Sequence, residues 1–196
     1  MNTVVHLIRH GEVYNPAGIR YGQLAGFRLS ARGRWQARAA AGHLRSLRHP
    51  RTMIVSSPLE RAVETAEVLA SELGLPPLTT DARLIEPRTE FDGLPKLAVL
   101  WPKMWPRFRD PFRPSWGEPF ADIARRMRGA IDEHRRAHGD AAIVFVSHQS
   151  PIWITRHAYD AHGPPWLSRV RCSPASITTL HFVDGRYARS SYWADL

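Results

Sequence analysis

Cysteine is almost missing from this chain of 196 residues. Cys172 stands alone, so no intrachain disulfide can form, and a zinc site built on paired thiolates is disfavoured. Lysine is scarce as well: Lys96 and Lys103 are the only two, so twenty-five of the 27 basic residues are arginine. No apolar run approaches the ~20 residues that a membrane span needs. The stretch from Met1 to His10 lacks the basic leader and long apolar segment of a signal peptide. Internal repeats, low-complexity linkers and long consecutive basic tracts are all missing. These absences argue against a disulfide-framed secreted domain, a membrane protein and a polybasic nucleic-acid tail. A cytoplasmic setting with no membrane partner is the expectation.

What is present suits a globular chain. Hydrophobic residues make up 43% and charged residues 23%, enough for a sizeable core, and the length fits one domain. The formal charge of +9 and the pI of about 10.7 point either to nucleic acid or to anionic substrates. The arginines are spread along the whole length, which favours solvated faces over a nucleic-acid surface. No nucleic-acid partner is expected.

Val4 to Ile8, broken only by His6, reads as a buried strand. Gly11, just beyond it, lets the backbone turn and approach a ligand closely. A turn at 15–18 and a loop with Gly22 and Gly26 follow. Ser30 suits the N-cap of a helix running to about Arg48, with Trp35, Ala39, Gly42 and Leu44 on its packed side. Thr52 to Ser56 is a second strand. Ser57, Pro58 and Glu60 read as the cap, first residue and capping-box carboxylate of a second helix, which Gly74 ends. Leu78 to Leu84 is extended. Residues 87–119 hold seven prolines and three tryptophans (Trp101, Trp105 and Trp116) and read as a cap-like insertion over the sheet. A long helix from Glu118 to about His138, the strand Ala141 to Ser147, a helix opened by Ser150 and Pro151, and a hairpin around Asp184-Gly185 complete the chain. Strands alternating with helices predict an α/β fold: a three-layer α/β/α sandwich with a mostly parallel central sheet and a small inserted cap.

Four strand ends carry polar groups, and ligands in open α/β sheets sit at the carboxyl ends of strands. Arg9 and His10 follow the first strand. Arg61 lies in the first turn of the helix after the second. Glu86 follows the extended segment, and His148 follows Ser147, just before another helix start. A guanidinium clamps phosphate oxygens in a planar fork, a neutral imidazole can attack phosphorus, and helix N-termini favour anions. Two histidines, two arginines and a carboxylate therefore suit phosphoryl transfer. Other groupings read as structural. His134 and His138 share a helix face at metal-ligand spacing, but Arg135 and Arg136 oppose a cation, so no metal is expected. Arg125, Arg126 and Arg128 read as a solvated helix face. Trp101, Trp105, Phe108, Phe112 and Trp116 either line a substrate-facing cap or fasten the insertion to its domain.

Taken in order, these motifs make the chain resemble the histidine phosphatase superfamily, also called phosphoglycerate mutase-like. Arg9-His10-Gly11, the helix start from Ser56 through Arg61 to Thr65, and Val146-Ser147-His148 before a helix occur in that family's order. The resemblance runs from Val4 to the 150s. It implies His10 as a nucleophile that becomes phosphohistidine, with Arg9, Arg61 and His148 holding the phosphoryl oxygens. It implies Glu86 as the acid that protonates the leaving oxygen, with Glu90 as a rival. It also implies a small phosphate ester as partner, no cofactor, and a monomer or homodimer. Asn15, Arg20, Tyr21 and Gln149 are further substrate-binding candidates.

The chain departs from the family pattern in places. Val13 stands where Ser or Thr is common, Asn15 lies one residue nearer the nucleophile than the usual asparagine, and Gln149 replaces a common glycine. Glu118 resembles a family Gly-Glu pair near the pocket, and equally suits a first-turn carboxylate favoured by the helix dipole. Hydrolysis is expected over mutase action or non-catalytic binding. The mutases hold their phosphoenzyme with a tyrosine and a lysine after the acid glutamate and with an adjacent arginine pair. Here no tyrosine lies between Glu86 and Glu118, and Phe108 separates Arg107 from Arg109. Lys96 stands near the lysine's place.

Overall fold

The computed structural model describes residues 2–76, 79–102, 117–139, 141–160 and 171–195. Along them run β1 (Thr3–Arg9), α1 (Ala31–Ser46), β2 (Thr52–Ser56), α2 (Glu60–Leu73) and β3 (Thr79–Thr80). Two short 3-10 turns, Ala82–Leu84 and Lys96–Leu100, come next. Then follow α3 (Phe120–His138), β4 (Ala142–Ser147), α4 (Gln149–Asp160), β5 (Ile177–Val183) and β6 (Arg186–Trp193). The strands form one sheet in the order β3-β2-β4-β1-β5-β6. The first four strands of that order are parallel, and β5 and β6 are antiparallel additions at one edge.

The central position of β4 explains its uninterrupted apolar run, because both of its faces are covered. Ile143 and Phe145 pack with Ile123, Met127 and Ile131 of α3 and Ile152 of α4. Val144 and Val146 pack on the other face with Ala40 and Leu44 of α1 and Ala62, Ala66 and Leu69 of α2. Two cores, one on each face of the sheet, make the three layers the sequence predicts. The terminal hairpin also forms as predicted. Asp184 and Gly185 both have positive φ, 49° and 78°, which the tight turn between β5 and β6 requires.

Several local expectations give way to longer-range contacts. Ser30 caps α1, its hydroxyl accepting from the Gly33 N–H at 3.0 Å, but the packed face is rotated from the expected one. Gly33, Ala37, Ala40, Ala41 and Leu44 are buried, whereas Trp35 is 56% exposed. Small residues take that face because backbones touch there. A Cβ on Gly33 would lie 2.0 Å from the Glu12 carbonyl oxygen, and one on Gly11 would lie 2.4 Å from the Gly33 carbonyl oxygen. Gly11 therefore serves the contact between the β1 end and α1. The capping box before α2 does not form. The helix opens after Leu59 with no capping side chain, and Glu60 Oε2 accepts from the Gly26 N–H at 2.7 Å instead. The extended stretch over 78–84 shortens to β3, because the Asp81 carboxylate accepts from the Arg83 N–H at 2.8 Å and turns the chain into a 3-10 turn. Residues 103–116 of the expected cap, with Trp105, Arg107, Phe108, Arg109, Phe112 and Trp116, lie outside the described residues.

The arginine face of α3 is also not wholly solvated. Arg125 is exposed and pairs with Asp122 at 2.6 Å, as expected. Arg126 is only 17% exposed at its side chain and grips both Glu118 oxygens, at 2.8 and 2.9 Å. That bidentate pair accounts for Glu118 without a pocket role. Arg128 donates to the Ala158 carbonyl and lies 5.0 Å from the Tyr159 ring centre, tying α3 to α4. His134 sits 3.5 Å from the Asp81 carboxylate and edge-on to Phe145.

Candidate active site

The carboxyl ends of the parallel strands open on a cavity of about 580 Å³. Arg9 and His10 come to it from the end of β1, Arg61 from the first turn of α2, and Glu86 from the loop after the first 3-10 turn. Gln149 and Ser150 reach it from the first turn of α4, and Arg20 and Tyr21 from the loop after β1. The His148 ring centre lies 5.2 Å from that of His10. The five residues read from four strand ends are thus brought together.

His10 is buried, and its Nδ1 lies 2.8 Å from the Gly11 carbonyl oxygen. A carbonyl can only accept, so the neutral ring carries its proton on Nδ1 and keeps the Nε2 lone pair. The main chain fixes the ring's base: His10 N–H donates to the Ser147 carbonyl at 3.0 Å and Gly11 N–H to Thr65 Oγ1 at 3.1 Å. Burial, then the charges of Arg61 and Arg9, hold the His10 pKa well below the ordinary imidazole range, with the Gly11 carbonyl working the other way. His148 is held low in the same manner, by burial first and then by His10, Arg61 and Arg9. Its Nε2 lies 2.7 Å from Ser57 Oγ.

Arg61 is 1% exposed. It donates to the Gly22 carbonyl, and its guanidinium carbon lies 4.7 Å from the Tyr21 ring centre. Arg9 donates to the Cys172 carbonyl at 2.6 Å. Glu86 Oε1 accepts from Ser150 Oγ at 2.6 Å, and the Glu86 carbonyl accepts from Gln23 Nε2 at 2.5 Å. Burial raises the Glu86 pKa, opposed first by the Ser150 hydrogen bond and then by Arg61 and Arg9. Arg9 Nε, Arg61 Nε, His148 Nδ1 and Glu86 Oε2 are buried without a hydrogen-bond partner. Buried polar atoms are normally paired, so four unpaired ones on residues gathered with His10 make this the candidate site.

The sequence profile of the histidine phosphatase superfamily (branch 1) matches residues 5–195. This chain belongs to that superfamily. It is 32% identical to phosphoserine phosphatase 1 of Hydrogenobacter thermophilus, over 92% of this chain and 87% of that protein. It is also 32% identical to a probable phosphoglycerate mutase of Yersinia enterocolitica, over 96% of this chain and 89% of that one. Among solved structures, a mycobacterial glucosyl-3-phosphoglycerate phosphatase superimposes with a TM-score of 0.77 at 28% identity, covering 98% of this chain and 97% of that one. The superfamily thus includes relatives named as phosphatases and as mutases. Among the described residues no helix is long and apolar enough to cross a membrane.

The remaining candidates divide on geometry. Tyr21 stands edge-on to His10, with ring centres 6.2 Å apart, and stacks on Phe27. Arg20 lines the cavity with its guanidinium 5.9 Å from the Phe91 ring centre. Gln149 is exposed at the rim. Asn15 bonds both ways to Ile19, at 2.8 and 3.3 Å, and shapes the loop. It borders an adjoining cavity of about 460 Å³ that also reaches His10. Glu90 is exposed and does not line the main cavity, whereas Glu86 does. Sequence reasoning misses Ser57, Ser150 and Gln23. Both serines stand beside helix starts and read as caps, and nothing local marks Gln23.

Proposed function

We propose that this protein is a phosphomonoesterase that works without a metal ion, through a phosphohistidine at His10, on a small phosphorylated metabolite. The observation that carries this reading is a set of unpartnered buried atoms on the residues gathered with His10: donors on two arginines, a histidine nitrogen and a carboxyl oxygen. Those are the complements of a phosphate ester. His10 Nε2 attacks phosphorus while the bond to the ester oxygen breaks. Glu86, whose pKa burial raises, gives its proton to the departing oxygen. Water then attacks the phosphohistidine, Glu86 takes back a proton, and the P–N bond breaks to release inorganic phosphate and neutral His10. Two guanidinium groups supply the positive charge that the phosphoryl oxygens need. Burial first, and then the charge of Arg61 and Arg9, hold the His148 pKa low, and a bound phosphate dianion offsets that repulsion and favours the protonated form.

Phosphate monoesters demand accelerations of up to ~10²¹-fold, and alignment with fixed charge provides most of it. A cavity of about 580 Å³ suits a small organic ester. The phosphoserine and glucosyl-3-phosphoglycerate phosphatases among the relatives support a phosphatase. A phosphoglycerate mutase is the second reading, favoured by the Yersinia relative and by Lys96 in the cavity wall.

The test is to incubate the protein with a labelled phosphate ester and a chelator, then quench in base. Label should stay on the protein, leave it in acid, and be absent from His10→Ala. A His10→Ala variant within about tenfold of the parent rate, a loss below what acid–base assistance alone typically supplies, or a parent silenced by the chelator, would sink the reading.

A further inference from the structure

Glu86 is held at two points. Its carbonyl accepts from Gln23, and one carboxyl oxygen, Oε1, accepts from the Ser150 hydroxyl at 2.6 Å. The Ser150 backbone N–H also bears on that carboxyl. The other oxygen, Oε2, is buried and has no partner. An undissociated carboxyl group has two unlike oxygens, one that accepts and one that carries the proton. A hydroxyl donor seated on Oε1 makes Oε1 the accepting oxygen, which assigns the proton to Oε2.

We propose that Ser150 is a positioning residue for the acid: by occupying Oε1 it leaves Oε2 as the single oxygen from which the proton passes to the leaving group. The proposal rests on Glu86 being the general acid. In the step it serves, the Oε2–H bond breaks, the ester oxygen gains the proton as its bond to phosphorus breaks, and a carboxylate remains. The Ser150 hydroxyl then holds that carboxylate, so it favours the product of proton transfer as well as its direction. Placement follows from the fold. Gln149 alone separates Ser150 from His148, so the first turn of α4 sets the second histidine against Ser57 and the serine against Glu86. Pro151 fits this turn because its missing N–H has no helical partner there in any case.

The experiment compares kcat/KM for glycerol 2-phosphate, whose leaving alkoxide needs a proton, with 4-nitrophenyl phosphate, whose leaving group does not. The parent, Ser150→Ala, Ser150→Thr and Glu86→Gln are measured across pH. Loss of one hydrogen bond to a carboxylate predicts that Ser150→Ala slows the alkyl ester about tenfold and leaves the aryl ester nearly unchanged. The Ser150 bond stabilises the carboxylate, so its removal should shift the alkaline limb of the alkyl-ester profile to higher pH. Ser150→Thr, which keeps the hydroxyl, should restore both. Equal losses on the two esters, or an unmoved alkaline limb, would overturn the positioning role and leave a merely structural serine. If Glu86→Gln itself shows no preference for aryl esters, the general-acid reading fails and takes this proposal with it. If Glu86→Gln shows that preference and Ser150→Ala matches the parent, only the positioning role is overturned.

Discussion

Acid should destabilise this protein through a buried histidine that takes no part in the chemistry. His6 sits within β1 at 1% exposure, its Nδ1 2.9 Å from Thr179 Oγ1 and its Nε2 3.0 Å from His49 Nε2. Burial, and then the neighbouring His49, His181 and His43, pull its pKa down to about 3. In the unfolded chain it should titrate near ~6.5. The unfolded chain therefore binds a proton that the folded protein refuses. The stability this group contributes is full above the unfolded value and is lost as pH falls from there toward 3. Integrated from about pH 7.5 to about pH 5, the loss is about 2 kcal/mol for His6 alone. His10 and His148 are buried and depressed in the same direction, so they add to the loss. A loss of about 2 kcal/mol is already a sizeable part of the ~5–15 kcal/mol total stability of an ordinary domain. The assay is urea unfolding at both pH values for the parent and His6→Gln. Glutamine does not titrate and can still bond to Thr179. Whatever the variant costs at neutral pH, its pH-dependent loss should be smaller than the parent's by about 2 kcal/mol. Equal pH dependence in the two proteins would refute the assignment of a neutral buried His6.

Two further outcomes follow from the geometry. Gly33→Ala places a Cβ 2.0 Å from the Glu12 carbonyl oxygen; it should cost roughly 1–3 kcal/mol and slow turnover, because the displaced backbone adjoins His10, and an unchanged melting temperature and rate would contradict the contact. Given 3-phosphoglycerate with and without a bisphosphate primer, the protein should release phosphate and form little 2-phosphoglycerate; fast, primer-dependent isomerisation with little phosphate release would favour the mutase.

The three layers and the central sheet are legible in the sequence because their signals are periodic and local. The run from Ala141 to Ser147 reads as a buried strand, and Ser30 and Asp184-Gly185 sit where capping and turn chemistry place them. The five candidate site residues are legible because each lies at or shortly beyond a stretch read as extended, and the fold rule for open α/β sheets brings strand ends together. What escapes is the side chain with two available partners. Trp35 matches a helical stripe by spacing, but the glycine and alanine face wins because it lets α1 reach the backbone of Glu12. Arg126 reads as solvated until Glu118 is placed opposite it.

Ser57 and Ser150 are the instructive pair. A serine beside a helix start can bond to the helix's own N–H groups, a partner visible in sequence, or to something distant, which is not. Here α2 opens after Leu59 without a capping side chain, and α4 opens at Gln149, ahead of its serine. Ser57 Oγ still accepts from the Leu59 N–H at 3.4 Å, but its shorter bond is to His148, and the Ser150 hydroxyl goes to Glu86. Both diversions occur at the carboxyl end of the sheet, and both end on an ionisable group beside His10. Local rules are broken most readily where a site demands it. A helix-start serine whose helix begins without its cap is therefore itself a pointer to the chemistry, once even a backbone trace is in hand.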